Sequence, residues 1–176
     1  TNTVKNDQAV TVAYTDPSAA NDSNAIQDSA GNDAASLTST SVTNNSTVAG
    51  TAPTFSSAAT NSDGTKVVLT YNEALSSTTA ATSTFAVTTD GAANAVTAVA
   101  VSGSTVELTL TNTVKNDQAV TVAYTDPSAA NDSNAIQDSA GNDAASLTST
   151  SVTNNSTVAG TAPTFSSAAT NSDGTK

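Results

Sequence analysis

The 176-residue chain contains no Cys, His, Trp, Met or Arg, and its 15 acidic residues against 4 Lys give a net charge of −11. Those absences exclude a disulfide framework, thiolate or imidazole metal sites and a Ser-His-Asp triad, and the charge repels nucleic acid and anionic membranes. No apolar run approaches the roughly 20 residues of a membrane span, so membrane insertion is not expected.

Residues 1–66 recur without a single substitution as residues 111–176, a period of 110. Periods of about 20–50 residues mean solenoids, whereas this one is the size of a whole domain. The sequence is therefore read as tandem modules. Residues 1–50 are the C-terminal part of one module, 51–160 a complete module and 161–176 the start of the next. Neither end coincides with a module boundary and no signal-peptide pattern is present, so both ends are read as arbitrary limits within a longer array.

Within residues 51–160, Ala52-Pro53 opens the unit and Phe55 begins a short strand. The turn Asn61-Ser62-Asp63-Gly64 follows, with Gly supplying a positive φ cheaply. Residues 66–71 alternate, with Val67, Leu69 and Tyr71 on one face. The Ala/Ser/Thr-rich stretch 73–83 predicts one loose helical turn anchored by Leu75. A strand over 84–89 points Phe85 and Val87 inward and closes at Asp90-Gly91. Residues 94–102 and 105–110 predict a hairpin about Ser102-Gly103-Ser104, with Val106, Leu108 and Leu110 on one face. A polar loop, 112–118, leads to a strand at 119–125 with Val120, Val122 and Tyr124 inward. A long loop, 126–146, precedes the last strand at 147–153, and 154–160 reads as a linker. Seven short strands, no long helix and turns every 8–12 residues predict an all-β fold, a seven-stranded antiparallel Ig-like β-sandwich. The Thr and Val content favours strands over the disorder that abundant Ser would otherwise suggest.

Several strings in this unit resemble a known family. They are the Ala52-Pro53 opening, Gly103-Ser-Thr-Val-Glu-Leu108, Tyr124-Thr-Asp-Pro127 and Ile136-Gln-Asp-Ser-Ala-Gly-Asn-Asp143. Together they resemble the bacterial Ig-like repeats of giant cell-surface proteins of the swarming-motility (Swm) type. The resemblance implies a secreted, cell-surface or fibre-forming protein built of many copies, and it transfers no catalytic residue.

The loop at 126–146 exceeds the roughly 12–15 residues beyond which loops are usually functional or disordered. Its oxygen-bearing side chains suit a hard cation, since Ca²⁺ takes about 6–8 oxygen ligands. The candidate ligands are Asp126, Asp132, Asn134, Asp138, Asn142 and Asp143. The spacing from Asp132 begins like an EF-hand, but Ile136 stands where an oxygen belongs. Two readings follow: a structural calcium site, or a solvated loop pinned by Ile136, with Asp138 and Asn142 bonding backbone amides in a turn. No cofactor-binding or catalytic residue is expected. Glu73 and Glu107 sit on different elements, and no Ser has a base beside it. The function read from the sequence is a structural repeat of an extracellular filament or surface fibre, giving length, stiffness and self-association, with other copies of itself as partners. The alternative is the stalk of a bacterial surface adhesin whose binding domain lies elsewhere.

Overall fold

The computed structural model describes residues 2–174. Residues 1, 175 and 176, the outer limits of the first and third segments expected above, lie outside the described residues. Ten strands follow in order: β1 Val10–Tyr14, β2 Leu37–Val42, β3 Phe55–Thr60, β4 Lys66–Tyr71, β5 Phe85–Thr89, β6 Ala92–Ala93, β7 Val96–Ser102, β8 Thr105–Leu110, β9 Val120–Tyr124 and β10 Leu147–Val152. The fold is all-β and its ladders are antiparallel.

The strands of residues 51–160 form two four-stranded sheets, ordered β3-β4-β8-β7 and β10-β9-β5-β6. Alternation sets the register. Val67 and Leu69 of β4 lie opposite Leu108 and Val106 of β8, and Phe85 and Val87 of β5 lie opposite Tyr124 and Val122 of β9. All eight of the apolar side chains Val67, Leu69, Phe85, Val106, Leu108, Val120, Val122 and Tyr124 are buried, while Thr70, Glu107 and Thr121 between them are only partly covered. A one-residue slip would invert that pattern. The inward faces of both sheets join in one cluster that also takes in Tyr71, Leu110, Ile136 and Val152. Each fully buried Val or Leu contributes about 1.5–3 kcal/mol relative to exposure. Phe85 and Tyr124, neighbours across β5 and β9, bring their rings together at a tilt of 32° with centroids 5.3 Å apart.

Three local features differ from the sequence expectation. Asp90-Gly91 does not merely end β5. Both residues take positive φ, 52° and 79°, the twist of a type I′ hairpin, and so the chain returns as β6, an eighth strand pairing Thr88 with Ala93. The helical turn in 73–83 is confined to a 3₁₀ turn at Thr82–Thr84, while Leu75 bonds through its amide to the Gly103 carbonyl at 2.9 Å. The segments read as polar loop and linker are packed together. Val114 and Ser156 are buried, and the Ser156 hydroxyl donates to the Val114 carbonyl at 2.7 Å.

Residues 2–50 carry only β1 and β2, paired with each other in a separate two-stranded sheet. Identical sequence here meets a different environment. Val12 is 47 % exposed and Ile26 59 %, whereas their twins Val122 and Ile136 are 0 % exposed.

Candidate functional site

The acidic loop begins where β9 ends. The Tyr124 hydroxyl accepts a 3.0 Å hydrogen bond from the Ile136 amide, which pins the loop's midpoint to the core. Burial pushes the phenol up to about 12, so it stays protonated. Around this anchor the chain folds back, and Gln137 bridges to Asp143.

That fold-back brings three of the six candidate ligands together. Asp126, Asp132 and Asp143 place carboxylate oxygens within 4.8 Å of one another. Local bonds hold them: the Asp143 Oδ2 accepts from the Asp132 amide at 2.7 Å, and the Asp132 Oδ2 accepts from the Ser128 hydroxyl at 2.8 Å. Oδ1 of Asp126 and Oδ1 of Asp143 are buried and accept no hydrogen bond among the described residues. Burial raises the Asp143 carboxyl above its ordinary value, and the carboxylates of Asp132, Asp126 and Asp138 push it the same way. The cluster recurs as Asp16, Asp22 and Asp33 in the leading copy.

The other candidates make bonds of their own. The Asn134 amide donates to Asp132 Oδ1 at 2.8 Å. Asp138 and Asn142 form a turn of their own, in which Asp138 Oδ1 accepts from the amides of Ala140 and Asn142 at 2.8 and 2.9 Å and Oδ2 accepts from the Asn142 side chain at 2.7 Å. The turn-bond half of the solvated-loop reading describes this part of the loop, with Ile136 as the pin.

A second set of polar residues had no signal in the sequence. The Asp138–Asn142 turn is where the leading segment touches the central one. Asn142 Oδ1 accepts from the Gly50 amide at 3.1 Å, and the Asn6 side chain donates to the Ala140 carbonyl at 3.2 Å. Asp138 and Asn142 are buried, whereas their twins Asp28 and Asn32 are exposed. Asp7 fixes the approach by accepting the Thr51 amide at 2.9 Å, and a Cβ on Gly50 would overlap the Asp7 carboxylate. Asn6, Asp7 and Gly50 recur as Asn116, Asp117 and Gly160, but there the Gly160 amide donates to Asn116 Oδ1 at 3.1 Å instead of to an Asn142 counterpart. Burial raises the Glu73 carboxyl above its usual range, helped by Asp138 and Asp7 across this joint.

Residues 48–129 match the family described as "Putative flagellar system-associated repeat". The match supports a Swm-type repeat over this stretch. In structure, the chain is similar to the N-terminal part of the bacterial S-layer protein SbsC, with 23% identity and a TM-score of 0.47 over 58% of this chain and 23% of that one. It is also similar to the S-layer protein rSbsC(31-844), with 23% identity and a TM-score of 0.45 over 57% of this chain and 13% of that one. The chain thus spans less than a quarter of either S-layer chain. No curated protein matches. No helix among the described residues is long and apolar enough to cross a membrane.

Proposed function

We propose that the chain is a non-catalytic structural repeat of an extracellular filament or surface fibre of a bacterium. Its modules are residues 51–160, a complete Ig-like sandwich, and the partial units at 1–50 and 161–176, which carry the end and the start of the same sandwich. The strand orders β3-β4-β8-β7 and β10-β9-β5-β6 support that fold, because they follow the two-sheet layout of Ig-like domains with one short strand added. The observation that carries the function is the joint. A repeat built only as a spacer needs no contact with its neighbour, yet here Asn6 and Gly50 of one unit bond to Ala140 and Asn142 of the next. Such a joint restrains the angle between units and gives the array stiffness as well as length. The family's association with a flagellar system agrees with a role at the cell surface. Electron microscopy of the native assembly tests this: a filament shows one regular axial spacing set by the module, and a structureless, flexible tether would defeat the reading. A second reading, the stalk of an adhesin, draws support from the polar and small character of the joint, which is what end-to-end stacking without lateral packing requires.

The same reading gives Asp126, Asp132 and Asp143 a structural calcium ion. Three carboxylates can offer up to six oxygens, which suits the coordination of calcium, and the two buried Oδ1 atoms lack a donor. The ion would offset the mutual repulsion of the three carboxylates and fix the loop that carries the joint. Calcium should then raise the melting temperature and chelator should lower it, with Asp143→Asn abolishing both effects. A melting curve indifferent to calcium and chelator would return the loop to the solvated alternative.

A further inference from the structure

An edge strand presents unpaired N–H and C=O groups to any chain that can match them. Of the four edges in the two sheets of residues 51–160, three are guarded. β3 runs beside the end of β10, in parallel, with Ala59 bridging Thr153. The Thr60 amide donates to the Thr153 carbonyl and the Thr153 amide to the Ala58 carbonyl, both at 2.9 Å. The register of β10 also breaks between Leu147 and Thr150, and β6 is only two residues long. β7 is the exception. It lies in the middle of the chain, with both sheets of its sandwich formed around it. After an irregularity between Val96 and Ala98 it pairs without a break to Ser102. The 3₁₀ turn at Thr82–Thr84 lies alongside, but the main-chain bonds of Thr84 go to Ala81 and Thr125.

The open edge of β7 is apolar and uncharged. Ser102 and Thr105 close the two-residue turn Gly103-Ser104, and bonding alternates back from that pair. Ala98, Ala100 and Ser102 therefore turn their main-chain groups to β8, and Val99 and Val101 turn theirs outward. Among the described residues no main-chain bond from another element reaches Val99 or Val101. Their side chains pack on the core yet stay partly open, whereas Leu108 and Val106, opposite them on β8, are 0 % exposed. The other face carries Ala98, Ala100 and Ser102, all exposed. No charged residue falls between Asp90 and Glu107, and the Glu107 carboxylate is neutralised by Lys66 at 2.6 Å.

We infer that β7 pairs with β7 of a second copy, antiparallel, about a two-fold axis at Ala100. Two chains of net charge −11 repel each other, and this strip lets them meet without opposing like charges. The strand also complements itself. In this register Val99 lies opposite Val101 of the second copy and Ala98 opposite its Ser102, so valines meet on the core side and small side chains on the other. Strand addition by main-chain pairing then joins two four-stranded sheets into one. The contact is isologous and closes as a pair, so the two chains lie side by side and run in opposite directions. Ala98–Ser102 is short against the roughly 20–30 residues a side of a stable interface. Single copies therefore associate weakly, and an array that repeats the edge in every module multiplies the effect. The inference deepens the self-association proposed above and rests on it; it assigns the lateral contact that a filament has and a stalk lacks.

The test uses the full chain, which has no cysteine of its own. Chains with Ala98→Cys are mixed with chains with Ser102→Cys under mild oxidation. In the antiparallel register these two positions are direct neighbours within disulfide reach. Like positions stand about 14 Å apart along the strand, four residues at roughly 3.4 Å each. The mixed dimer should therefore be the main product by mass spectrometry, with both like-to-like dimers nearly lost. Adding Ala100→Lys to both chains sets two ammonium groups opposite each other and should cut the yield by about fivefold. Ala100 is exposed, so the melting temperature should hold. A statistical mixture of the three dimers, or a yield unaffected by Ala100→Lys, would overturn the inference. In either case, multimers persisting in sedimentation would leave self-association standing through another surface. A chain that sediments as a monomer at every concentration and gives no cross-link would remove both.

Discussion

Ile26 and Ile136 share their whole sequence neighbourhood and differ only in tertiary surroundings, so they form an internal control for the role of burial. Ile136 is 0 % exposed and belongs to the core cluster; Ile26 is 59 % exposed. Replacing Ile by Ala removes three carbons, worth about 2.4 kcal/mol at roughly 0.8 kcal/mol each when fully buried. The cavity left at Ile136 adds to this, placing Ile136→Ala in the range of about 2–5 kcal/mol. At roughly 4 °C per kcal/mol for a domain of this size, the melting temperature should fall by about 8–20 °C. Ile26→Ala loses less than half of that transfer term and opens no cavity, so its cost should stay below about 1 kcal/mol. Urea unfolding of the two variants beside the parent, followed by near-ultraviolet circular dichroism, measures the difference directly. Equal costs would refute the reasoning, since they would mean that both isoleucines are covered alike.

Tyr124→Phe should cost about 1–3 kcal/mol at Ile136 by leaving its buried amide without an acceptor, while Tyr14→Phe, whose hydroxyl accepts from the exposed Ile26 amide, should cost little; hydrogen exchange at the two amides reads this out. Stability should also depend on pH in a stated direction. The folded state binds a proton at Asp143 more tightly than the unfolded chain, whose value is near 3.8, and the same holds for Glu73, so stability should rise as pH falls from 7 through their raised values. Below that window the carboxyls of Asp22, Asp28 and Asp63 lie under their ordinary value because hydrogen bonds to Ser18, Asn32 and Thr65 favour their charged forms, so their contribution is lost as pH drops through those lowered values. Urea midpoints at several pH values for the parent and Asp143→Asn measure this, and a steady fall from pH 7 downwards in the parent would contradict it.

The sheets were legible because their side chains alternate. Val67, Leu69 and Tyr71, or Val106, Leu108 and Leu110, leave one register that buries apolar groups, and tertiary packing agrees with that local pattern. Val114 escaped because it stands alone among Asn, Lys and Asp, with no period around it, and it is covered through bonds to residues distant in sequence, from the side chains of Asn154 and Ser156 and to the Gly64 carbonyl. Of the loop, the acidic composition was readable, but its geometry was not. Nothing in the spacing separates Asp126, Asp132 and Asp143, which converge, from Asp138, which turns to Asn142. The joint was invisible for a related reason: Asn6 and Ala140 are 134 residues apart, and isolated polar contacts leave no periodic trace.

The parallel run of β3 beside the end of β10 has a mechanical meaning. In the array proposed above, placed under tension, force would enter a unit near residue 51, just before β3, and leave near residue 160, just after β10. The hydrogen bonds of Thr60 and Thr153 lie across that line of pull. Parallel neighbours loaded from opposite ends slide rather than peel, so these bonds carry the load simultaneously and must break together. In that array the unit would yield at a threshold instead of unravelling bond by bond, with the β3–β10 edge as its clamp.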